Sequence, residues 1–305
     1  MPARTNIFAG PHLDRHGHHR RDVAWVEKEL AGERARFVPV LGKLNLMTPG
    51  DSPLAVLLDR VQAVIHLPHL DELIYLGKFR DYSCFTFGLN HDHTDLPWPD
   101  SEFRDLHHVG GFLPEEQASL LAYARGMVIW HRNHQFCGRC GSPSLSAEAG
   151  HVRVCTSPDC GRQTFPRVDP AIIVLVSDGN RCLLGRQQDW PEGRYSTVAG
   201  FVEPGESLED AVAREVMEET GVSVRQIRYH SSQPWPFPAS LMLGFTAVAE
   251  TTAIDLNDGE LAEAHWFTLE EVNKSTFKLP ARVSIARRLV EDWVVDSQPL
   301  EETAP

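Results

Sequence analysis

Residues 200–222, GFVEPGESLEDAVAREVMEETGV, constrain the fold of this chain more than any other segment. The PG pair predicts a turn, and Ser207 with Asp210 three residues later is a capping-box pattern that starts a helix. Gly221 stands where a helix commonly ends in the left-handed conformation. The segment therefore predicts a loop followed by a helix over about residues 208–220.

The predicted helix carries acidic side chains on one face. Glu215 and Glu219 are four residues apart and share a face, and Glu218 lies one step round from both. Glu215 follows the apolar Ala211 by four residues, and Glu219 follows the apolar Val212 by seven. Both glutamates therefore continue the buried apolar stripe of the helix. Half-buried carboxylates need cations or hydrogen-bond partners, and oxygen-rich clusters suit Mg²⁺ or Mn²⁺. A solvated acidic face is the usual alternative explanation for a run of glutamates.

Arg214 lies in the middle of this acidic helix. It stands four residues before Glu218 and can pair with it, or with Glu206 in the preceding loop. Either pairing holds the loop against the helix. We therefore expect Arg214 to position the neighbouring carboxylates.

The glycine, the glutamates and the arginine fill every fixed position of the Nudix box. In these features the chain resembles the Nudix hydrolases, which use water and divalent cations to cut a nucleoside diphosphate linked to another group. The resemblance implies an α/β/α sandwich with a mixed sheet, Mg²⁺ or Mn²⁺ as cofactor, and a catalytic set of Arg214, Glu215, Glu218 and Glu219. The spacing leaves open which glutamate deprotonates the water.

A second motif, SQPWPFPAS, follows the box at residues 232–240. Its three prolines, interleaved with Trp235 and Phe237, exclude a helix or a central strand. They predict a stiff loop that presents aromatic faces, which suits a planar base or a nicotinamide ring. From composition alone, a hydrophobic loop that merely covers the sheet is an equally good interpretation.

This second motif is similar to the signature of the NADH pyrophosphatase subfamily of the Nudix hydrolases. Members of that subfamily split NAD(H) into NMN(H) and AMP, and bacterial members also remove NAD caps from RNA 5′ ends and leave a 5′-monophosphate. The similarity extends from about residue 127 to about residue 292. It implies NAD(H) and NAD-capped RNA as substrates and a homodimer in which Phe165 reaches the partner's site.

The resemblance also assigns individual residues. The implied ligands of the catalytic cations are the Ala199 backbone carbonyl, Glu215, Glu219 and Glu260. Aromatic rings hold the nicotinamide in the subfamily, and they correspond here to Phe165 and Phe201. The implied substrate contacts are Phe165, Phe201, Gln233, Pro234, Trp235, Pro236, Phe237, Pro238, Ala239, Ser240 and Ala286. The chain departs from the subfamily at two positions: position 165 often holds tyrosine, and Gly150 replaces a glutamate that contacts substrate in some relatives.

Four of the six cysteines form two closely spaced pairs, and each pair is followed by a glycine. They are Cys137, Cys140, Cys155 and Cys160. Two residues separate the first pair and four the second, both within the spacing of structural zinc sites. We expect one four-cysteine zinc ribbon with a structural role, because four thiolates leave no position for a water. Disulfides, or a zinc site completed by His134 or His151, are the alternatives, and the absence of a secretion signal disfavours disulfides.

The ribbon region is locally basic, with six arginines between residues 125 and 167 in a chain whose formal net charge is −13. The overall acidity argues against general nucleic-acid binding. The local patch still leaves room for an RNA backbone beside the active site. We expect Arg132, Arg139, Arg153 and Arg162 to guide NAD-capped RNA.

The chain of 305 residues has room for about two domains. We predict a small mixed α/β domain over residues 1–113, a linking helix and zinc ribbon over 114–165, a Nudix domain over 166–296 and a flexible tail over 297–305. The histidine-rich PHLDRHGHHRR near the start predicts a flexible polar segment. No apolar run of about 18 residues is present, which excludes a membrane span, and the N-terminus lacks the apolar region of a signal peptide, so we expect a cytoplasmic protein.

Three hypotheses about function follow. The first is a metal-dependent NAD(H) diphosphatase that also removes NAD caps from RNA. The nearest alternative is a Nudix hydrolase that prefers ADP-ribose or another dinucleoside diphosphate. A non-catalytic zinc-ribbon protein that binds nucleic acid is more distant, because a missing box glutamate would favour it and none is missing.

Overall fold

The structure is a computed structural model that describes residues 5–64, 73–89, 98–256 and 259–297. The chain divides into two compact units. The first comprises Met1–Val168 and Pro234–Ala239, and the second comprises Asp169–Gln233 and Ser240–Pro305. Apart from residue 297, the predicted tail over residues 297–305 lies outside the described residues. Within those ranges, no helix is both long and apolar enough to cross a membrane.

The first unit is built on a six-stranded sheet with the order β1-β4-β5-β2-β3-β6. Its strands are β1 (Leu13–Asp14), β2 (Ala35–Leu41), β3 (Leu44–Met47), β4 (Ile74–Phe79), β5 (Tyr82–Leu89) and β6 (Glu102–Arg104). Strands β2 and β5 are parallel, and the other neighbours are antiparallel. The helices are α1 (Val23–Ala31), α2 (Arg60–Ala63), α3 (Leu106–Val109) and α4 (Glu115–Asn133). The expected mixed α/β domain is confirmed.

Helix α4 follows the apolar periodicity of its sequence. Pro114 precedes its first residue, where the fixed φ of proline favours a helix start. Its apolar side chains at helical spacing are all buried, namely Leu120, Leu121, Ala124, Val128 and Ile129. They form a packed face, because one side of α4 covers the sheet.

The histidine-rich segment near the N-terminus is folded, so the expectation of a flexible segment was wrong. Strand β1 pairs with β4, and Gly17–His19 form a short 3-10 helix. The His19 ring stacks on Trp25 with 4.4 Å between centroids, and His16 Nδ1 lies 3.2 Å from the Tyr75 hydroxyl oxygen. These aromatic contacts order a segment whose polar composition gave no sign of packing.

The ribbon region forms a small sheet of its own within the first unit. Strands β7 (Ser144–Ala147), β8 (Val152–Cys155) and β9 (Gln163–Thr164) are antiparallel in that order. The two cysteine pairs lie in the turns around this sheet and at the end of β8.

The second unit is a mixed sheet with the order β13-β14-β10-β11-β15. Its strands are β10 (Asp169–Ser177), β11 (Arg181–Gln187), β12 (Val198–Phe201), β13 (Val224–Trp235), β14 (Ser240–Ala249) and β15 (Leu261–Thr268), and β12 also pairs with β10. Strands β10 and β14 are parallel, whereas β11 and β12 run antiparallel to β10. The helices are α5 (Leu208–Thr220), α6 (Leu269–Asn273) and α7 (Ile285–Asp296).

Strand β10 separates two hydrophobic cores, because successive side chains of a strand point to opposite faces. Every second residue from Ile172 to Val176 packs against apolar side chains of α5, whereas Ile173 and Leu175 pack against those of α7. Helices therefore cover both faces of the sheet. The expected α/β/α sandwich with a mixed sheet is confirmed.

The proline-rich motif is only partly the predicted loop. Strand β13 continues through Pro234 to Trp235, and residues 236–239 form the turn before β14. The prediction correctly excluded a central strand, since β13 lies at the edge of its sheet. An edge strand tolerates proline because one of its sides has no ladder to complete.

Candidate active site and zinc site

Helix α5 begins and ends where the sequence predicts. The Asp210 backbone N–H donates to Ser207 Oγ at 3.1 Å, and the Ser207 N–H donates to the Asp210 carboxylate at 3.2 Å. Gly221 has φ 68° and closes the last turn by donating to the Met217 carbonyl at 2.9 Å. Both ends are set by local hydrogen bonds, which fixes the direction in which the glutamates of the helix point.

Gly200 in β12 makes room for Glu215. A Cβ at position 200 would lie 1.9 Å from the Glu215 carboxyl carbon and 2.0 and 2.3 Å from its two oxygens. Any side chain there would occupy the volume of the carboxylate. The first glycine of the box is therefore required by a close approach and not by an unusual φ.

Arg214 joins the loop to the glutamates of the helix. Its Nε and Nη2 donate to the two carboxylate oxygens of Glu206 at 2.6 and 3.0 Å. Its Nη1 donates to Glu215 and to Glu218, each at 2.9 Å, and Nη2 also donates to the Phe201 carbonyl at 2.9 Å. The hydrogen bonds from Arg214 hold the pKa of Glu206 down at about 2. The two pairings that the sequence offered as alternatives are thus formed together.

The glutamates of α5 differ in burial. Glu219 is buried, and the Glu215 side chain is 12% exposed, whereas that of Glu218 is 53% exposed. Burial raises the pKa of Glu215, Arg214 opposes the rise, and the negative charges of Glu218 and Glu260 add to it. The apolar stripe therefore does continue into carboxylates, as the periodicity predicts. A cation nearby would relieve both the burial and the repulsion.

Glu260 is far from α5 in the sequence but belongs to the same unit, and contacts made by the residues on either side of it fix its position. The Gln188 side-chain amide donates to the Gly259 carbonyl at 2.8 Å. Where β11 pairs with β15, the register shifts so that Gln187 lies opposite Leu261. Sequence analysis missed Gln188, because its partner is 71 residues away and no local pattern marks it.

The second unit supplies the oxygen donors that a divalent cation prefers. Its carboxylates on α5, in the preceding loop and just before β15 are Glu206, Glu215, Glu218, Glu219 and Glu260, and Glu218 and Glu260 lie close enough to Glu215 to raise its pKa. Arg214 is the cation that pairs with the first three of them in the described contacts. Ala199, whose carbonyl is an implied ligand, is held in β12 opposite Ile173. Carboxylate and carbonyl oxygens with an excess of negative charge are the donor set that Mg²⁺ and Mn²⁺ prefer.

The predicted aromatic contacts lie in both units. Phe201 in the second unit is 60% exposed, and the Arg214 hydrogen bond fixes its backbone. Phe165 in the first unit is 61% exposed. Each ring is free of a packed environment and can stack on a planar ligand.

The other two predicted aromatic residues are packed within the first unit. The rings of Trp235 and Phe237 lie 4.9 Å apart, and His107 stands edge-on to them at 5.5 and 5.1 Å. The Arg125 guanidinium lies 4.7 Å from the Phe237 centroid. Of the prolines in the turn, Pro236 is buried and Pro238 is exposed. The turn therefore has a defined aromatic packing.

Gln233 and Ala286, two predicted substrate contacts, have side chains committed to the fold of the second unit. Gln233 is 1% exposed, its Nε2 donates to the Val283 carbonyl at 2.7 Å, and its Oε1 accepts from the Ile285 N–H at 2.8 Å. The Ala286 methyl is buried in the core beneath α7. Ser240, by contrast, is half-buried at the start of β14. The Gln233 amide thus fixes the N-terminus of α7.

The four cysteines of the ribbon converge, with all four Sγ atoms within 4.8 Å of one another. Cys137 Sγ lies 3.8 Å from Cys160 Sγ, and Cys140 Sγ lies 3.4 Å from Cys155 Sγ. Tetrahedral zinc with Zn–S bonds of about 2.3 Å separates its sulfurs by about 3.8 Å, so the cluster fits one Zn²⁺.

The alternatives for these cysteines are excluded. None of the six cysteines forms a disulfide. Neither His134 nor His151 belongs to the group of ligand atoms that surrounds the four sulfurs, and their ring nitrogens contact the carbonyl oxygens of Trp130 and Tyr75 at 2.8 and 2.7 Å. Among the residues that the structure describes, the metal-ligand cluster consists of the four thiolates alone.

The four arginines expected to guide RNA are not equivalent. Arg153 donates to Ser144 Oγ at 2.9 Å and to the Ser144 carbonyl at 2.5 Å, and it also contacts His131 at 3.0 Å. Its guanidinium therefore stabilises the ribbon sheet and does not point outward to bind RNA. The expectation that Arg153 guides NAD-capped RNA was wrong. Arg132 is exposed but donates to the Gly42 carbonyl. The side chains of Arg139 and Arg162 are exposed.

Three family models match consecutive parts of this chain. Residues 166–291 match the NUDIX domain, residues 132–165 the NADH pyrophosphatase zinc ribbon domain, and residues 34–130 the NADH pyrophosphatase-like rudimentary NUDIX domain. The chain belongs to the NADH pyrophosphatase subfamily of the Nudix family. The cofactors of the subfamily's domains are divalent cations such as Mg²⁺ or Mn²⁺ for the Nudix domain and a structural Zn²⁺ for the ribbon.

Curated relatives share about two fifths of the aligned residues. The NAD-capped RNA hydrolase NUDT12 of Macaca fascicularis is 43% identical over 197 residues, which are 60% of this chain and 43% of that protein. The NAD-capped RNA hydrolase NudC of Mycobacterium bovis (strain BCG / Pasteur 1173P2) is 44% identical over 213 residues, which are 65% of this chain and 66% of that protein. The match thus spans less than two thirds of either relative. Among solved structures, a NUDIX hydrolase from Nitrosomonas europaea is 20% identical, with a TM-score of 0.45 over 53% of this chain and 91% of that chain.

Proposed function

We propose that this protein hydrolyses the diphosphate of NAD(H) to NMN(H) and AMP and removes NAD caps from RNA 5′ ends, leaving 5′-monophosphate RNA. The names of the relatives at 43% and 44% identity support the cap-removing activity, and the zinc-ribbon and rudimentary NUDIX matches support the pyrophosphatase activity. The observation that carries the proposal is the carboxylate cluster of the second unit, in which Gly200 leaves space for Glu215 and Arg214 fixes its orientation.

In this proposal the Ala199 carbonyl, Glu215, Glu219 and Glu260 bind the catalytic cations. When bound, Mg²⁺ or Mn²⁺ supplies charge that polarises the diphosphate and lowers the pKa of a coordinated water. Arg214 keeps Glu215 and Glu218 in place through hydrogen bonds of 2.9 Å. Glu218, which is exposed, or Glu219, which is buried, accepts the proton of the attacking water.

The substrate contacts fall into two kinds. We propose that the exposed rings of Phe201 and Phe165 stack on the nicotinamide, and that the residues from Pro234 to Ser240 line the rest of the substrate site. Gln233 and Ala286 act through the fold, because their side chains are buried at the N-terminus of α7. For NAD-capped RNA, the exposed Arg139 and Arg162 are the residues that guide the phosphates.

The proposed chemistry is tested by Glu219→Gln, which keeps the size of the side chain and removes its charge. We expect turnover of NADH and NAD-capped RNA to be abolished while the fold and zinc content stay intact. Glu209→Gln on the exposed side of α5 is the matched control and should retain activity. Retained turnover in Glu219→Gln would remove this residue from the mechanism.

Substrate choice is tested by giving equal NADH, ADP-ribose and NAD-capped RNA to the enzyme with Mg²⁺ or Mn²⁺. We expect the highest kcat/KM for NAD(H) or NAD-capped RNA, with NMN(H) or NMN as a product. A higher kcat/KM for ADP-ribose would favour the alternative Nudix substrate. No turnover of any of the three, together with RNA binding, would favour a non-catalytic nucleic-acid-binding protein.

The homodimer and the cytoplasmic location stay predictions. Light scattering coupled to gel filtration should give twice the chain mass of 34.2 kDa. A mass of one chain at micromolar concentration would contradict the dimer. Fractionation of the source cells should recover the protein with cytoplasmic markers.

A further inference from the structure

The small sheet of the zinc ribbon has one packed face and one exposed face. On the packed face, Ser144 Oγ donates to the His134 carbonyl at 2.8 Å, and the Arg153 guanidinium contacts both Ser144 and His131. Successive side chains of a strand point to opposite sides, so the neighbours of Ser144 and Arg153 along their strands belong to the other face. That second face takes no part in these contacts.

The second face is apolar and continuous across the strands of the ribbon. Phe136 forms a β-bridge with Pro143, and Leu145 follows Pro143 by two residues. Leu145 pairs with Val154 in β8, which pairs in turn with Gln163 in β9. Cross-strand partners share a face, as do residues two apart, and we call this set the ribbon face. Phe136 and Leu145 are 66% and 58% exposed, so the ribbon face displays two large apolar side chains to solvent.

Two exposed arginines border the ribbon face. Arg139 stands two residues beyond Cys137, whose Sγ accepts its backbone N–H at 3.4 Å, and Phe136 directly precedes that cysteine. Arg162 directly precedes Gln163. Within the described residues, neither guanidinium is paired with a carboxylate. Both arginines are therefore available to an anionic ligand.

The charge of the surrounding segment indicates which ligand covers the ribbon face. Six arginines and no lysine lie between residues 125 and 167, against the two carboxylates of Glu148 and Asp159. Glu148 is already paired with Arg21 at 2.8 Å. A second copy of this chain, docked through the same face by two-fold symmetry, would bring like arginines together across the contact. Single-stranded RNA instead offers negative phosphates to the arginines and flat bases to the apolar side chains.

We propose that the ribbon face binds the single-stranded RNA that follows the NAD cap. Bases stack on the Phe136 ring and pack against Leu145, and backbone phosphates bind Arg139 and Arg162. This inference rests on the proposed removal of NAD caps and extends it, because it gives the ribbon a share in the affinity for the RNA body. Every base has a flat face, so the surface binds RNA without a marked sequence preference.

The surface is tested by binding, separately from turnover. A fluorescein-labelled single-stranded RNA of about ten nucleotides with a 5′-monophosphate is titrated with the full-length chain without added Mg²⁺ or Mn²⁺, and its anisotropy is followed. Phe136→Ala should raise the Kd by about tenfold, as expected for the loss of one base–aromatic stack. The same RNA annealed to its complement should not respond to Phe136→Ala, because paired bases cannot stack on the ring.

Turnover by the same variant separates the ribbon face from the catalytic site. Phe136→Ala should lower kcat/KM for NAD-capped RNA by about tenfold through KM, and it should leave kcat/KM for NADH unchanged. Phe112→Ala is the matched control, because Phe112 is 67% exposed in the same unit and precedes α4 outside the ribbon. It should leave both the RNA Kd and the two kcat/KM values unchanged.

Zinc content shows whether each variant keeps its ribbon, and Leu145→Ser carries the test if Phe136→Ala does not. The proposal is overturned if zinc-loaded variants of the ribbon face bind the single-stranded RNA as tightly as Phe112→Ala does. It is also overturned if they change the mass of the protein in light scattering and not its RNA affinity, because the face is then a contact between copies. If the wild-type chain leaves NAD-capped RNA uncleaved but shows RNA binding that depends on Phe136, the proposed function fails and the RNA surface stands.

Discussion

Replacing Gly200 with alanine should damage the active site while sparing the fold. The added Cβ would lie 1.9 Å from the Glu215 carboxyl carbon. Carbon atoms in contact are about 3.5–4.0 Å apart, so the carboxylate has to move by at least about 1.5 Å. The atoms that must yield are the far end of a flexible side chain, and alanine is more favourable than glycine within a strand by about 0.5–1 kcal/mol. The hydrogen bond from Arg214 that Glu215 would lose offsets this gain, so the chain should still fold with an unfolding midpoint that changes little.

The loss of activity follows from that displacement. Moving a catalytic group by about 1 Å can cost about 10²-fold in rate. We therefore expect kcat/KM for NADH to fall by about 10²-fold, which corresponds to about 2.7 kcal/mol of transition-state stabilisation. The assay is chromatographic separation of NMNH and AMP, repeated over a range of Mn²⁺ concentrations. The moved carboxylate should also lose its hydrogen bond to Arg214 and raise the Mn²⁺ concentration required for half-maximal rate.

Two controls separate this explanation from a general effect of the substitution. Gly17→Ala places the same methyl group where no atom lies within 4 Å, and it should keep full activity. In a Glu215→Gln background, Gly200→Ala should cost little more, because the carboxylate it displaces is already absent. Wild-type kcat/KM in folded Gly200→Ala, or the full 10²-fold loss on top of Glu215→Gln, would refute the reasoning.

Three further predictions concern metal binding and stability. Gln188→Ala should raise the apparent Kd for Mn²⁺ by about tenfold with little change in kcat at saturating metal, because the Gly259 carbonyl loses its donor; an unchanged Mn²⁺ titration would contradict this. Cys140→Ser should lose the zinc measured by atomic emission and lower the unfolding midpoint, whereas full zinc occupancy would speak against the four-thiolate site. Burial lowers the pKa of His131 and of His151 to about 4. Below about pH 6.5 these imidazoles are therefore protonated in the unfolded chain while they stay neutral in the folded chain. Stability should be full above pH 6.5 and fall as the pH drops towards 4; equal urea midpoints at pH 7 and pH 5 would contradict this.

Local signals in the sequence predicted the site helix well. The limits of α5 agree with the prediction at both ends, because Ser207, Asp210 and Gly221 act through hydrogen bonds to their near neighbours. The burial of Glu219 followed from helix periodicity alone. Patterns that span one helix or one turn carry their own physical cause, and so a single sequence reveals them.

Contacts between distant segments were not predictable in the same way. The sequence gives no reason to join Gln188 to Gly259. The polar composition around His16 did not indicate that its ring contacts Tyr75. The basic composition of the ribbon did not indicate that Arg153 hydrogen-bonds Ser144. In each case the partner is chosen by the tertiary fold, which brings together segments that share no spacing rule.

The guanidinium of Arg214 has five N–H groups, and the protein itself uses as many hydrogen bonds: two to Glu206 and one each to Glu215, Glu218 and the Phe201 carbonyl. A saturated guanidinium has no donor left for a phosphate oxygen. The arginine nearest to the catalytic glutamates is thus unable to clamp a dinucleotide. Neutralising the diphosphate in this cluster falls to the divalent cations, which makes substrate affinity as dependent on free Mg²⁺ or Mn²⁺ as the chemical step is.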